Sequence, residues 1–326
     1  MPPKNAWFRQ KRVAKSGALH AMPSVSASPT RLKFWGTRGS ISVPGQGTLR
    51  YGGNTTCVEL RADGEIIVLD AGSGIRPLGL ALEKEFKSQP IKLSLLITHA
   101  HWDHIQGLPF FAPAYEEKNE IRVRGYDGVD MGFGEIMAEP MKAPFFPIAM
   151  RELSATIDIK RLTAMKFSAG KVQVRARFVN HPGVCAGYRL FTSAGSIAFL
   201  PDHEPYGFLH AAKANGLSPE EAKKTAAEER IGLVEFLKGS DILILDAQYT
   251  DAEYDKHVGW GHGSVSSAVL LALDAQVRRF LLFHHDPSHD DRILDAMVDD
   301  ARQLVRERGK HVEVDSAREG EEVLLK

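Results

Sequence analysis

The sequence predicts a single α/β domain in which layered β-sheets lie inside and helices lie outside. Paired strands come first, and Asp63-Gly64 indicates a hairpin because this two-residue turn separates two apolar runs. Strands and helices then alternate toward the carboxyl end, a pattern typical of sheets covered by helices. The 326 residues are 43% hydrophobic and 25% charged, which is ordinary for a folded protein. Residues 31–326 show neither an internal repeat nor a low-complexity linker, so we expect one domain there.

The individual elements follow from apolar runs, turn residues and helix-forming composition. Strands are predicted at 31–35, 57–60, 65–69, 91–97, 172–178, 188–191, 196–200, 241–245 and 279–283. Helices are predicted at 75–86, 219–237, 264–273 and 293–307. Residues 120–165 receive no assignment, because Pro140, Pro144 and Pro147 break any long element there.

Residues 1–30 differ from the rest of the chain in charge. They contain five basic residues and no acidic one: Lys4, Arg9, Lys11, Arg12 and Lys15. Since 41 basic residues balance 41 acidic ones overall, the tail carries +5 and the remainder carries −5. We expect a disordered tail, as for other segments of low hydrophobicity, with a targeting peptide or an anchor to an anionic surface as the alternative.

Composition excludes several classes of protein. No stretch approaches the roughly 18 apolar residues that a membrane span requires. Cys57 and Cys185 are too few for a disulfide framework and too far apart for a local metal knuckle. The balanced charge argues against a broad electrostatic grip on a nucleic-acid backbone. These features predict a cytoplasmic protein.

The placement of the 13 histidines is the most informative feature. The strand predicted at 91–97 is followed by Thr98-His99-Ala100-His101-Trp102-Asp103-His104. Because His99 and His101 are two residues apart, they project to the same side of an extended backbone. Asp103 and His104 lie where the chain turns toward the next element, so they can face a second point nearby. Imidazole nitrogens with a carboxylate suit zinc or a similar divalent metal.

The motif His99-x-His101-x-Asp103-His104 after a strand resembles the signature of the metallo-β-lactamase superfamily. The preceding segment, Val68-Leu69-Asp70-Ala71-Gly72-Ser73-Gly74, is similar to the strand and Asp-Gly turn of that superfamily. Later motifs follow in the same order, so the resemblance covers residues 31–310. It implies an αββα sandwich (the metallo-β-lactamase fold) of two mixed β-sheets with outer helices.

The resemblance also implies a dinuclear site. His181, Asp202 and His284 match later ligand positions, with His285 as the alternative to His284. One metal would lie on His99, His101 and His181, the other on Asp103, His104 and His284, and Asp202 would be shared. Two divalent ions are therefore expected, Zn²⁺ first, with Mn²⁺ or Fe²⁺ as alternatives.

The segment 241–264 distinguishes branches of the superfamily. Leu245-Asp246-Ala247-Gln248-Tyr249 and the later Gly261-His262-Gly263-Ser264 resemble paired motifs of ribonuclease Z and related phosphodiesterases. This implies that a metal-bound hydroxide attacks the phosphorus, that His262 protonates the leaving oxygen as general acid, and that Asp246 orients His262. Asp103 is the third candidate catalytic residue. Asp246 as a turn cap and His262 as an ordinary loop residue are the structural alternatives. Thioesterases and lactonases of the superfamily share the metal ligands.

Residues 206–240 bear on the substrate. Ribonuclease Z carries a Gly- and Pro-rich arm there, whereas this chain has a helical segment of mixed charge without a basic stripe. We therefore expect a small phosphodiester, above all a cyclic nucleotide, with RNA as the alternative and a thioester or lactone as another. Arg38, Asn54 and His285 are candidate substrate contacts, and a surface arginine is the alternative for Arg38. Related enzymes are often dimers, so a homodimer is a further expectation, with residues 120–165 as the candidate lid or contact region.

Overall fold

The computed structural model describes residues 29–207 and 209–325. The predicted tail at 1–30 therefore lies almost entirely outside the described residues. Its boundary needs one correction, because Thr30 is already buried as the first residue of strand β1. Within the described ranges, no helix is both long enough and apolar enough to cross a membrane.

The first sheet has seven strands in the order β14-β1-β2-β3-β4-β5-β6. Its strands are β1 Thr30–Gly36, β2 Cys57–Ala62, β3 Glu65–Leu69, β4 Lys92–Leu96, β5 Glu120–Gly125, β6 Thr156–Arg161 and β14 Glu322–Leu325. The pairings from β14 to β3 are antiparallel, and those from β3 to β6 are parallel. The predicted hairpin is present, since β2 and β3 pair on either side of Asp63-Gly64.

The second sheet has the order β7-β8-β9-β10-β11-β12-β13. Its strands are β7 Lys166–Ala169, β8 Val172–Phe178, β9 Ala186–Thr192, β10 Gly195–Leu200, β11 Ile242–Asp246, β12 Arg279–Phe283 and β13 Glu313–Ser316. Antiparallel pairings join β7 to β10, and parallel pairings join β10 to β13. Each sheet thus has three antiparallel pairings followed by three parallel ones, a topological repeat that leaves no detectable trace in the sequence.

Helices cover the outer faces of both sheets. The helices of the described residues are α1 Ile75–Phe86, α2 Trp102–Ile105, α3 Phe133–Ala138, α4 His210–Asn215, α5 Pro219–Leu237, α6 Asp251–His257, α7 Val265–Asp274 and α8 Asp291–Glu307. Short 3-10 helices lie at Gln46–Thr48, Leu108–Phe110, Ala112–Tyr115, Glu139–Met141 and Met150–Glu152. Apolar side chains of α1 and α3 pack on the first sheet, and those of α5, α7 and α8 pack on the second. The predicted αββα sandwich is confirmed.

The long helices begin where the sequence supplies capping groups. Ser218 accepts a hydrogen bond from the Glu221 amide, and Pro219 occupies the first turn of α5. Asp290 accepts hydrogen bonds from the amides of Arg292 and Ile293 at the start of α8. These local signals explain why both helices were predictable.

Residues 120–165 contain more regular structure than the sequence indicated. Strands β5 and β6 pair in parallel, and α3 lies between them along the chain. Pro140, Pro144 and Pro147 fall in the connection from α3 to β6, so they interrupt neither strand. The strands β7, β13 and β14 were also missed, since each has only four residues.

A central core lies between the two sheets and contains three aromatic rings. The Phe283 ring centroid lies 6.1 Å from that of Phe34 and 5.6 Å from that of Phe199. Phe34 comes from the first sheet, and the other two come from the second. All three side chains are fully buried, so their packing holds the sheets together.

We predict that Phe199→Ala lowers the free energy of unfolding by about 3–5 kcal/mol, because it leaves a cavity between the sheets. Equilibrium urea denaturation measures this change. Phe145→Ala is the matched control, since Phe145 is 80% exposed and its truncation should change stability by less than about 0.5 kcal/mol. Equal losses for the two variants would contradict the assignment of Phe199 to the central core.

Candidate metal centre

The polar residues of the predicted site follow strands whose carboxyl ends lie together. The segment His99 to His104 follows β4, Asp202 follows β10, and His284 follows β12. The strands β10, β11 and β12 are parallel neighbours, so the residues after them emerge at the same edge of the second sheet. His181 joins them from the turn after β8.

Seven side chains come together at this edge. Their potential ligand atoms form one group of His99, His101, His181 and Asp202 and a second group of Asp103, His104 and His284. Within each group the atoms lie within 4.8 Å of one another. A third group, Asp202, His262 and His284, overlaps these two, so the expected assignment of ligands to two ions stays a proposal.

Asp202 lies between the two groups and faces both. Its Oδ2 atom is 3.5 Å from His99 Nε2 and 3.6 Å from His181 Nε2. Its Oδ1 atom is 3.1 Å from His104 Nε2 and 3.4 Å from His284 Nε2. One buried carboxylate can therefore serve both groups, which is the geometry that a bridging ligand requires.

Protein acceptors fix the orientation of the histidine rings. The Nδ1 atom of His104 lies 2.8 Å from Asp70 Oδ2, and that of His284 lies 2.9 Å from Gln248 Oε1. The Nδ1 atom of His181 lies 2.8 Å from the Gly261 carbonyl oxygen. Each contact leaves Nε2 directed into the cluster, as in metal sites where an acceptor behind the ring sets its tautomer.

Asp103 is held by a close backbone contact. Its Oδ2 atom accepts a hydrogen bond of 2.8 Å from the Ser40 amide and lies 3.0 Å from His284 Nε2. A Cβ atom at Gly39 would lie 2.4 Å from the His284 ring, so only glycine fits beside that ring. The segment 36–40, which follows the predicted strand at 31–35, therefore packs against the site.

The chemistry of these residues fits divalent cations. His99 Nε2, His104 Nε2 and Asp202 Oδ1 are buried and make no hydrogen bond within the described residues. Buried polar atoms without partners are costly, and a bound cation would remove that cost. Burial opposes the charged form of His104, but Asp103, Asp202 and Asp70 outweigh it and raise the pKa of His104 well above its ordinary value. The cluster thus favours positive charge at this point.

Burial opposes the charged form of His181 as well, and there it prevails over the nearby carboxylate. It lowers the pKa of His181 to about 3, so the ring is neutral at physiological pH. A neutral imidazole is the form that binds a metal.

His262 and Asp246 form a pair at the edge of the cluster, and His262 lies within 4.8 Å of ligand atoms of Asp202 and His284. The Nδ1 atom of His262 lies 2.8 Å from Asp246 Oδ2 and 3.9 Å from Asp202 Oδ2, and its ring stacks on His284 at 4.8 Å between centroids. Burial disfavours the charged ring, but the carboxylate of Asp246, together with those of Asp202 and Asp103, outweighs it and raises the pKa of His262 to about 9. The geometry gives His262 a fixed tautomer and a ready proton.

The structure places all three candidate substrate contacts against protein groups, beginning with Arg38. Arg38 is fully buried, and its guanidinium donates to the backbone carbonyls of Gly52, Asp286 and His289 at 2.7–3.0 Å. It braces the surrounding loops and is not exposed to solvent, so the surface-arginine alternative is wrong.

Asn54 and His285 are occupied by the protein as well. The Asn54 amide donates to Glu319 and accepts from Ser73, so both of its ends are engaged. His285 is fully buried with Nε2 3.1 Å from the Ala317 carbonyl oxygen. His284 and not its neighbour therefore joins the second group of ligand atoms.

Three groups that orient the histidine rings were not predicted from the sequence. Asp70 lies in the Asp-Gly turn that carried part of the resemblance, so its position was a signal although its contact with His104 was not expected. Gln248 and the Gly261 carbonyl approach the cluster only because β11 lies beside β12 and the next connection folds back. No local pattern marks them.

Known proteins resemble the chain over most of its length. The model of the β-lactamase superfamily domain matches residues 66–285. Ribonuclease Z from Clostridium tetani (strain Massachusetts / E88) is 24% identical over 289 residues, covering 78% of this chain and 88% of that protein.

Solved structures share the fold at lower identity. Human tRNase Z, short form, has a TM-score of 0.57 and 20% identity, covering 91% of this chain and 99% of that one. Unliganded yeast PDE1 has a TM-score of 0.63 and 15% identity, with the same two coverages. The family model spans more than half of the 326 residues and includes every proposed metal ligand. The chain therefore belongs to the metallo-β-lactamase superfamily and is a metal-dependent hydrolase.

Proposed function

We propose that this chain is a phosphodiesterase of the ribonuclease Z kind, in which His262 protonates the leaving oxygen. The observation that carries the proposal is the His262–Asp246 pair, joined at 2.8 Å and stacked against His284 at the edge of the metal centre. A general acid must lie near the reacting group and hold a positioned proton, and the place of this pair beside the metal centre supports that role.

The seven side chains of the two groups are the proposed metal ligands: His99, His101, His181 and Asp202 in one, and Asp103, His104 and His284 in the other. Bound divalent ions supply the Lewis acidity and positive charge that an anionic phosphodiester requires. The protein's part is to hold the ligand rings in orientation through Asp70, Gln248 and Gly261.

The His262 ring is held in a single orientation for proton donation. Its Nδ1–H donates to Asp246 Oδ2, so Nε2 is the atom that can give a proton to a leaving oxygen. Asp246 is itself fixed, because its Oδ1 atom accepts hydrogen bonds from the amides of Gln248 and Gly263. The carboxylate therefore sets both the tautomer and the direction of the ring.

This acid favours phosphodiesters over thioesters as substrates. A sugar or nucleotide alkoxide is a strong base and leaves slowly unless it is protonated, whereas a thiolate leaves without help. A site with a positioned histidine acid is suited to the first class.

RNA is the substrate that the curated relatives favour, since the Clostridium tetani protein is a ribonuclease Z. Cyclic nucleotides are the second candidate, because α5 offers little to a polyanion. The helix has three basic and five acidic residues: Lys223, Lys224 and Arg230 against Glu220, Glu221, Glu228, Glu229 and Glu235. A net charge of −2 on this surface repels a long phosphate backbone.

The proposal is tested by a hydrolysis screen over short RNA, cyclic mononucleotides, cyclic dinucleotides and thioesters, with metal content measured on the same sample. We expect turnover of at least one phosphodiester by the metal-loaded protein. Cleavage of thioesters alone would contradict the proposal, and the relative rates on RNA and cyclic nucleotides distinguish the two candidates.

We predict that His262→Ala slows hydrolysis of a cyclic nucleotide about 10²–10⁴-fold but slows that of bis-p-nitrophenyl phosphate less than about tenfold. The difference follows because a ribose oxygen needs a proton to leave, whereas p-nitrophenolate does not. Steady-state kcat on both substrates measures it.

His311→Ala is the control for this prediction, since His311 is exposed between α8 and β13. It should leave both rates unchanged. Equal slowing of both substrates by His262→Ala would contradict the role of general acid.

We predict that Asp202→Ala lowers the bound metal from about two ions per chain to one or fewer, because both groups lose a shared carboxylate. Metal analysis after dialysis measures the stoichiometry. The exposed Asp299 provides the control, and Asp299→Ala should retain the wild-type metal content. Unchanged metal content in Asp202→Ala would contradict the bridging role.

A further inference from the structure

The turn between α6 and α7 carries His262 but has little regular structure of its own. It runs from Val258 to Ser264, and Gly259 and Gly261 adopt positive φ values of 90° and 97°. Trp260, between these glycines, is 63% exposed, so packing does not hold the turn from its outer side. Something else must fix it, because His262 directly follows Gly261.

A buried carboxylate lies behind this turn. Glu204 is fully buried, and its Oε1 atom accepts hydrogen bonds of 2.6 Å from the Gly259 amide and 3.2 Å from the Tyr254 hydroxyl. Its Oε2 atom accepts 2.9 Å from the Gly261 amide and lies 2.6 Å from His210 Nε2. The two oxygens thus bind the amides on both sides of Trp260.

Gly261 transmits this contact to the site in two ways. Its amide binds Glu204, while its carbonyl oxygen accepts the hydrogen bond from His181 Nδ1 at 2.8 Å. The next residue is His262. A Cβ atom at Gly261 would lie 2.5 Å from His181 Nδ1, so the turn and the His181 ring are in direct contact. Displacement of Gly261 therefore moves the acid and a proposed metal ligand together.

We propose that Glu204 is a positioning residue that clamps the turn 259–261 and so aims His262 at the leaving oxygen. The proposal rests on the proposed function, since it assigns Glu204 a part in proton donation by His262. A carboxylate suits the role because it only accepts hydrogen bonds and can receive all four donors at once. Glutamine keeps the shape but replaces one acceptor oxygen with an NH₂ group, which repels the two donors on that side.

The test compares two leaving groups in Glu204→Gln with metal present at saturation. We expect kcat for a cyclic nucleotide to fall about 10–100-fold, as for other small displacements of catalytic groups. The kcat for bis-p-nitrophenyl phosphate should fall less than about threefold, because that substrate needs no acid and because saturating metal keeps His181 in place as a ligand when the turn shifts. A purely structural role would lower both rates by the same factor, and that result would overturn the proposal.

Two further variants complete the set. Tyr254→Phe removes one of the four donors and leaves the carboxylate in place, so it should give a smaller shift in the same direction. Glu253→Gln is the matched control, because Glu253 is a carboxylate of α6 that contacts His289 and Thr250 rather than the turn. Its ratio of the two rates should equal that of the wild type.

The contact between Glu204 and the turn 259–261 can also be tested by a measurement that does not require enzyme activity. Hydrogen exchange followed by mass spectrometry should show faster exchange in peptides covering 257–263 for Glu204→Gln but not for Glu253→Gln. Unchanged exchange in Glu204→Gln would overturn the clamp. If the wild type hydrolyses no phosphodiester, the proposed function fails and the part of Glu204 in proton donation fails with it, while exchange still decides whether the turn depends on this residue.

Discussion

The Asp202 carboxylate is the contact on which the arrangement of the site depends. Its two oxygens face ligand atoms that come from both sheets, His99 and His104 after β4 and His181 and His284 after β8 and β12. A buried carboxylate is stable only when positive charge or hydrogen-bond donors surround it. The sheets must therefore pack in one register, so that the strand ends meet around this group. Phe34 of the first sheet packs against Phe283 of the second sheet, which in turn packs against Phe199. This aromatic contact fixes the register of the two sheets.

Local conformations around the site follow from the same requirement. Asp70 and His284 have φ values of 62° and 61°, a region that costs free energy for residues other than glycine. Each makes a contact that an extended residue at that position would not: Asp70 binds His104, and His284 reaches both Asp103 and Asp202. Packing in the three apolar cores offsets this cost.

Sequence reasoning succeeded where the signal is local. The bounds of α1, α5, β3, β8 and β12 were predicted correctly, because caps, glycines and apolar runs mark their ends. The clustering of the histidine motif was also predictable, since four polar residues follow one strand. Contacts between segments that are distant in sequence were not predictable. Gln248 reaches His284 only through the pairing of neighbouring strands, and Arg38 is buried by loops distant in sequence. Short strands such as β13 were missed because they become strands by pairing with β12, not by their composition.

The proposed metal ligands and the proposed acid lie on different kinds of structural element, which decides how freely each can change in sequence. The proposed ligands lie at strand ends, where sheet geometry fixes them. The proposed acid lies on the connection from β11 to α7, which can change in length and sequence without altering the sheets. The parts are nevertheless coupled, because the Gly261 carbonyl on that connection orients His181. A change in the turn that repositions His262 must therefore keep the Gly261 carbonyl in place, because the His181 ring otherwise loses its orientation. A buried carboxylate that fixes Gly261 from behind satisfies both demands at once, which gives a physical reason for a glutamate at position 204.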